Sequence, residues 1–163
     1  MDALWVGVRL LVLLGVANSA PIVAKHLLGA RWNAPIDAGR RFVDGRPLLG
    51  SSKTVRGVVV AVAGTALAAV LLGFSVRVGA EIGALAMLGD VLSSFVKRRL
   101  GITPSGRATG IDQIPEALLP LLLIRGTLAL SWLQVAAITL AFFALEIPLA
   151  RLAFRLRLRD RPF

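Results

Sequence analysis

Asp90, Ser93, Ser94 and Lys97 recur at three- and four-residue spacing in GALAMLGDVLSSFVKRRLGI, Gly83 to Ile102. On a helix that spacing puts them on one face, and the face ends in three adjacent cations, Lys97, Arg98 and Arg99. A carboxylate inside an apolar segment is costly unless it meets a partner, an ion or water, so Asp90 is expected to point into a bundle. A second carboxylate, Asp112 in TGIDQIPE, follows a loop containing Pro104, Gly106 and Gly110. If the segments flanking that loop form a hairpin, Asp90 and Asp112 approach one end of a shared cavity. Two carboxylates completed by phosphate oxygens make a typical Mg2+ site, because this ion demands octahedral oxygen ligation and recruits substrate phosphates. Lys97, Arg98 and Arg107 are near enough in the chain to hold phosphates through charge-assisted hydrogen bonds. The chemistry indicated is the handling of a nucleotide or pyrophosphate.

A second stretch points the same way. DGRPLLGSSKTVRG, Asp44 to Gly57, brings Arg46, Lys53 and Arg56 together with glycines that let backbone amides approach a phosphate. Ser51 to Thr54 read as the N-terminal cap of the helix that follows, and a helix N-terminus favours anions. GSSKT is not a P-loop, since GxxxxGK[ST] is absent and no βαβ context surrounds it.

Composition decides which elements position these residues. Of 163 residues, 56% are hydrophobic and 17% charged, and the mean hydropathy is +0.78. That is too apolar for a soluble domain of this size and reads as an integral membrane protein. The net charge of +10 lies in short runs between hydrophobic blocks, without aromatic residues for base stacking, which argues against nucleic acid as a partner. There is no cysteine, so a disulfide framework and a thiolate metal site are both excluded. A window of about 20 residues, the length that crosses the hydrocarbon of a bilayer, finds apolar segments at about 3–24, 57–76, 78–97, 114–130 and 132–154. The fourth contains Pro115, Glu116 and Pro120, with Arg125 near its far end, and reads as a short or kinked span. Asp2 stands where a signal peptide would carry basic residues, so the first segment is expected to be a retained span.

Cations set the expected orientation. The two long loops and the C-terminal RLAFRLRLRDRPF hold most Lys and Arg, whereas the connections near Ser75 and Ser131 hold few. Cytoplasmic flanks carry that excess, so the N-terminus is expected outside and the C-terminus in the cytoplasm. The expected architecture is all-α, a polytopic membrane protein with five transmembrane helices. It forms one transmembrane catalytic domain over 1–163, with cytoplasmic loops at about 30–56 and 98–113, in the cell membrane with its site facing the cytoplasm. Trp5, Trp32 and Trp132 read as interface anchors, Lys25 as a snorkelling side chain, and Glu81 and Glu146 as partners of neighbouring cations. The basic C-terminal run reads as a juxtamembrane helix that attracts anionic head groups. The small residues of GVVVAVAGTALAAV suit close helix packing within or between chains, leaving oligomerisation open.

The motifs resemble those of the CDP-archaeol synthases, which are similar in turn to the wider CTP-dependent phosphatidate cytidylyltransferases. The resemblance runs from ANSAP, Ala17 to Pro21, through PIDAGRRFVDGRPLLGSSKTVRG and GDVLSSFVKRRLG to the IDQ at Ile111 to Gln113. It implies transfer of CMP from CTP to an isoprenoid ether-lipid phosphate of the bis-geranylgeranyl glycerol phosphate type, with Mg2+, giving CDP-archaeol and pyrophosphate. Position by position, Asp90 and Asp112 match the acidic metal-associated positions, and Lys97 with Arg98 match the basic phosphate-binding run. Lys53 and Arg56 match the basic pair of the loop, and Asn18 matches a polar residue of the first span. The candidate site is therefore Asp90, Lys97 and Asp112 as catalytic groups, the two aspartates also as metal ligands. Asn18, Arg46, Lys53, Thr54, Arg56, Ser94, Arg98 and Gln113 are the candidate substrate contacts. Ser51, Ser52 and Val55 depart from the family's GDxKTWRG form. Many archaeal members continue Leu-Asp-Phe after the Asp-Gln pair, where this chain reads Ile-Pro-Glu, and Glu116 offers an acid one turn after Asp112.

The residue inventory supports such a transfer on its own terms. A lipid phosphate is already anionic near neutral pH, so its oxygen attacks the α-phosphorus without a strong general base, and His26 need not be catalytic. What remains are electrostatic and positioning tasks, which a cation cluster with Mg2+ performs. Phosphatidate or another lipid phosphate is the alternative substrate. A small transporter, with polar groups spread through the bilayer depth, and a noncatalytic scaffold are the rival classes. The expected partners are CTP, the lipid phosphate and membrane lipids.

Overall fold

The computed structural model describes residues 3–103, 106, 108 and 110–155. Helices α1 (Ala3–Leu28), α2 (Val55–Leu71), α3 (Val76–Arg99), α4 (Gln113–Ile124) and α5 (Trp132–Arg155) follow in order. Three of them begin on side-chain caps, which satisfy amide donors that the first turn leaves without partners; at α5 the Ser131 hydroxyl accepts from the Gln134 N–H at 3.1 Å. The Thr54 hydroxyl accepts from the Gly57 N–H at 3.1 Å, and the Ser75 hydroxyl accepts from the Val78 N–H at 3.2 Å. Arg107 and residues 156–163, including most of the basic C-terminal run, lie outside the described residues.

Small residues let the helices approach closely. A Cβ added at Gly79 would sit 2.4 Å from Ala69 Cβ and 2.7 Å from Ala66 Cα, and one at Gly83 would sit 2.9 Å from Val62 Cα. The α2–α3 crossing is thus near backbone contact along a GxxxG spacing, the device that drives association when lipid removes the hydrophobic difference between inside and outside. Leu10, Leu13 and Leu14 of α1, Ile82 of α3, Leu121 and Ile124 of α4, and Ile138 and Phe142 of α5 form one buried cluster. Leu4, Leu67, Leu71, Leu133 and Leu140 point outward with most of their surface exposed. Helices that are apolar on both faces have hydrocarbon as their solvent.

Three helices, α1, α3 and α5, are long and apolar enough to cross a membrane. With 17 residues α2 is shorter, and the 12 residues of α4 rise only about 18 Å at 1.5 Å per residue. The fourth apolar segment is expected at 114–130, but the helix stops at Ile124. Beyond it the chain turns, the Leu128 N–H donating to Ile124 O and the Leu130 N–H to Arg125 O. Ala129 takes a φ of +50°. The Arg125 guanidinium lies 4.1 Å over the Trp132 ring, so a cation and an amphipathic ring end the apolar run together. The order of the helices places the α1–α2 loop, the α3–α4 loop and the end of α5 at one end of the bundle, and the tight α2–α3 and α4–α5 turns at the other.

Candidate active site

Gly89 sets up the site. A Cβ there would lie 2.3 Å from the Pro115 carbonyl oxygen and 2.8 Å from the Glu116 nitrogen, so only glycine lets the first turn of α4 rest on α3 at this level. Asp90 follows directly and faces that turn. The Glu116 carboxyl, 6% exposed, lies within hydrogen-bonding reach of the Asp90 carboxyl. Lys53, from the end of the α1–α2 loop, donates to both Asp90 oxygens at 2.5 and 2.6 Å. Two turns further along α3, and one turn back at the start of α4, a second pair forms. Lys97 Nζ stands 2.6 Å from Asp112 Oδ1 as an ion pair whose alignment is not that of a hydrogen bond, and it also donates to Gly106 O at 3.3 Å. Arg98, 3% exposed, has Nε and Nη1 buried without a hydrogen-bond partner. Ser93 and Ser94 are buried on the same face, the Ser93 hydroxyl donating to Asp90 O at 2.9 Å.

The loop that delivers Lys53 is held from within and from α3. The Asp37 carboxylate accepts from the N–H groups of Leu49 at 2.9 Å, Gly50 at 3.1 Å and Gly39 at 3.0 Å. Burial alone would raise the Asp37 pKa, but these three donors outweigh it and hold the carboxyl below its usual range. Next to it, Pro35 bridges to Thr54, the Ile36 N–H donates to Lys53 O at 2.9 Å and the Val55 N–H to Ala34 O at 3.0 Å. Lys53 is thereby fixed between the isolated Pro35–Thr54 bridge and the capped start of α2. Burial pulls its pKa down, and the Asp90 carboxylate more than restores it, so the ammonium titrates above its ordinary value.

Arginines dock this loop on the end of α3. Arg46 donates through Nη1 to Arg99 O and, at 3.4 Å, to Arg98 O, two carbonyls of the last helical turn. Arg99 answers by donating to Pro47 O at 2.5 Å and Asp44 Oδ1 at 3.0 Å, with its guanidinium 4.7 and 4.9 Å from the Phe42 and Phe95 rings. Arg56, 7% exposed, donates to Gly29 O at 2.9 Å and Arg31 O at 2.5 Å.

The structure thus brings together Asp90, Lys53, Lys97, Asp112, Arg98 and Ser94 at one end of the bundle. Arg46 and Arg56 are nearby but spend donors on backbone carbonyls, Thr54 is a helix cap, and Gln113 Oε1 accepts from the Gly110 N–H at 2.7 Å. Asn18 Nδ2 donates to Leu14 O at 3.3 Å within α1. Glu116 joins the cluster without having been among the candidate site residues. Its only sequence signal is an acid one turn past Asp112. Asp37 and Arg99, which build the loop, lie within the motifs but carry no site role in the sequence reading.

The family model described as CarS-like CDP-archaeol synthase matches residues 9–163. The chain belongs to the CDP-archaeol synthase family. A CDP-archaeol synthase of Sulfurisphaera tokodaii is 38% identical over 155 residues, covering 91% of this chain and 89% of the relative. One of Hyperthermus butylicus is 36% identical over 162 residues, covering 90% and 89%. A solved structure of an intramembrane enzyme for archaeal membrane lipid biosynthesis is 28% identical, with a TM-score of 0.73 over 86% of this chain and 90% of that one. The family that the motifs resemble and the all-helical membrane architecture expected from composition and hydropathy therefore hold, and the family is one of enzymes.

Proposed function

We propose that this chain transfers CMP from CTP to an isoprenoid ether-lipid phosphate and so forms CDP-archaeol and pyrophosphate. The observation that carries the reading is the meeting of three carboxyl groups, Asp90, Asp112 and Glu116, with Lys53, Lys97 and Arg98 at one end of a bundle whose outer surface is apolar. A polyphosphate head and an apolar tail need that juxtaposition. A groove of about 500 Å³ lined by Leu92, Val96, Ile111, Ile114 and Pro115 opens beside Ser93, and it suits an isoprenyl chain whose phosphate lies against the cations.

The donor set fits Mg2+. Asp90, Asp112 and Glu116 offer hard carboxylate oxygens, and among the described residues no three acidic or histidine side chains converge tightly enough to hold a metal unaided. Substrate phosphates would complete its octahedron. Asp90 and Asp112, with Glu116 beside Asp90, would hold the ion, which when bound neutralises charge on the triphosphate. The chain's own residues do the rest. Arg98, with two unpartnered donors, and Lys97 receive the β- and γ-phosphates and stabilise pyrophosphate as its charge grows. Lys53, held against Asp90, orients a reacting phosphate. A lipid phosphate oxygen attacks the α-phosphorus, a new phosphorus–oxygen bond forms, the bond to the β-phosphate oxygen breaks, and pyrophosphate departs in line. No proton need leave the nucleophile, which is why a cluster rich in cations and lacking histidine suffices.

Orientation follows from charge. Arg9, Arg77 and Arg125 are the cations near the end of the bundle with the tight turns among the described residues, while Arg31, Arg40, Arg41, Arg46, Lys53, Arg56, Lys97, Arg98 and Arg99 gather at the site end. The positive-inside rule puts the site on the cytoplasmic face of the cell membrane, where CTP is found, with the N-terminus outside. Pyrophosphate release by detergent-purified protein, with Mg2+ and CTP, tests the substrate directly. An unsaturated archaeal ether-lipid phosphate is expected to support release at least about tenfold better than phosphatidate, a discrimination of about 1.4 kcal/mol. Equal release with phosphatidate would assign the wider lipid-phosphate specificity instead.

A further inference from the structure

Two of the three acids of the site, Asp90 and Asp112, already have a lysine. Lys53 grips both oxygens of Asp90 at 2.5 and 2.6 Å, and Lys97 stands 2.6 Å from Asp112. The lysines are 19% and 8% exposed and the aspartates 20% and 22%, so little water competes for either pair. Three carboxyl groups face three cationic side chains in one cluster. A divalent cation arriving alone meets carboxylates whose charge is already matched by an ammonium group, and binding would strand two ammonium groups beside it, the most costly outcome for partly buried charge. A polyphosphate arriving alone meets lysines already committed and carboxylates that repel it. Arg98, 3% exposed with Nε and Nη1 unpartnered, is the independent sign that the cluster is built for an incoming anion.

We propose that Lys53 and Lys97 are built-in counter-ions that Asp90 and Asp112 exchange for a divalent cation only when a polyphosphate takes over the lysines. The site then recognises the cation–polyphosphate chelate as a unit and rejects each half. Both halves of the exchange conserve pairing: carboxylates pass from ammonium to metal, ammonium groups pass from carboxylate to phosphate, and no charge is left bare. The inference rests on the reading of this cluster as the nucleotide site, and it adds an order to the events there. Metal does not bind ahead of the nucleotide.

Equilibrium binding of Mn2+, followed by its spin resonance signal on the full-length protein in detergent, tests this without any turnover. Wild type is expected to bind Mn2+ weakly in the absence of nucleotide. Lys53→Met and Lys97→Met, each of which releases a carboxylate, are expected to strengthen Mn2+ binding about tenfold or more, the size of one charge-pair interaction. Arg77→Gln removes the same charge at the far end of α3, where Arg77 pairs with Glu81, and is expected to change nothing. Tight Mn2+ binding by wild type alone overturns the proposal, as does Mn2+ affinity that stays unchanged in both lysine variants. The wild-type measurement stands even if a lysine variant fails to fold. Should the protein bind the chelate in this coupled way yet form no CDP-lipid, the reaction assignment fails while the exchange stands.

Discussion

Asp37 does for the loop what no secondary structure does there: one carboxylate gathers the N–H groups of Leu49, Gly50 and Gly39 and so closes the segment that carries Lys53 to Asp90. Asn in its place keeps one acceptor but turns an NH2 group against amide donors. Asp37→Asn is therefore predicted to destabilise the fold by about 1–3 kcal/mol, the range for a lost charged hydrogen bond or an unsatisfied buried group. The sign of the pH dependence follows from the depressed Asp37 pKa. Its contribution is present above the unfolded carboxyl value of about 3.9 and is lost as pH falls through the lower folded value. Thermal unfolding in detergent should show the wild-type advantage at pH 7 and its disappearance below about pH 3; an advantage that persists in acid would mean that Asp37 acts through shape and not charge. Lys53 is the residue that this loop serves, and it has no other route to Asp90.

At the scale of elements, the α3–α4 crossing decides whether the acids meet. Gly89→Ala would push a methyl group into the Pro115 carbonyl, where an added Cβ would lie 2.3 Å from the backbone oxygen, and backbone does not yield as a side-chain tip does. Gly79→Ala makes a comparable clash at 2.4 Å, but against Ala69 on α2, away from the site. Both are predicted to cost about 1–3 kcal/mol of stability, as overpacking does, whereas Gly89→Ala alone should cut turnover of the folded protein by about tenfold or more, since displacements of about 1 Å carry such losses. Equal turnover in the two folded variants would show that the α3–α4 approach does not position the chemistry. This crossing also marks the limit of what the sequence can tell. Spacing alone puts Asp90, Ser93, Ser94 and Lys97 on one face, and SSKT marks the Thr54 cap. Glu116 cannot be placed from sequence, because its contact with Asp90 depends on a backbone approach that Gly89 permits and no periodicity encodes. Arg46 and Arg56 read as phosphate ligands because sequence reports charge, while their carbonyl partners lie in a loop and a helix end that only the fold brings near. Asp37 is silent in the sequence since its partners are backbone groups. Hydropathy overextends the fourth span because it does not register the turn after Ile124.

The whole molecule is a helix bundle with its charged cluster at one end and an apolar surface around its sides. Chain direction predicts which loops lie on which side of the membrane, and the lack of any cysteine makes the prediction clean to test. With single cysteines at Ser51 and Ser131, a membrane-impermeant thiol reagent added to intact cells should label Ser131→Cys, and Ser51→Cys should react only after the membrane is opened. The reverse pattern would invert the topology and place the site away from cytoplasmic CTP. Group transfer itself is the decisive property. With CTP labelled in its α-phosphate, Mg2+ and an archaeal ether-lipid phosphate, the purified protein is predicted to move label into the organic-soluble lipid, and Asp90→Asn to lower that rate by about 10²-fold or more, as loss of a group that stabilises transition-state charge does. Label that stays in the aqueous phase with folded wild type, or that transfers equally well in the Asp90→Asn variant, would contradict it.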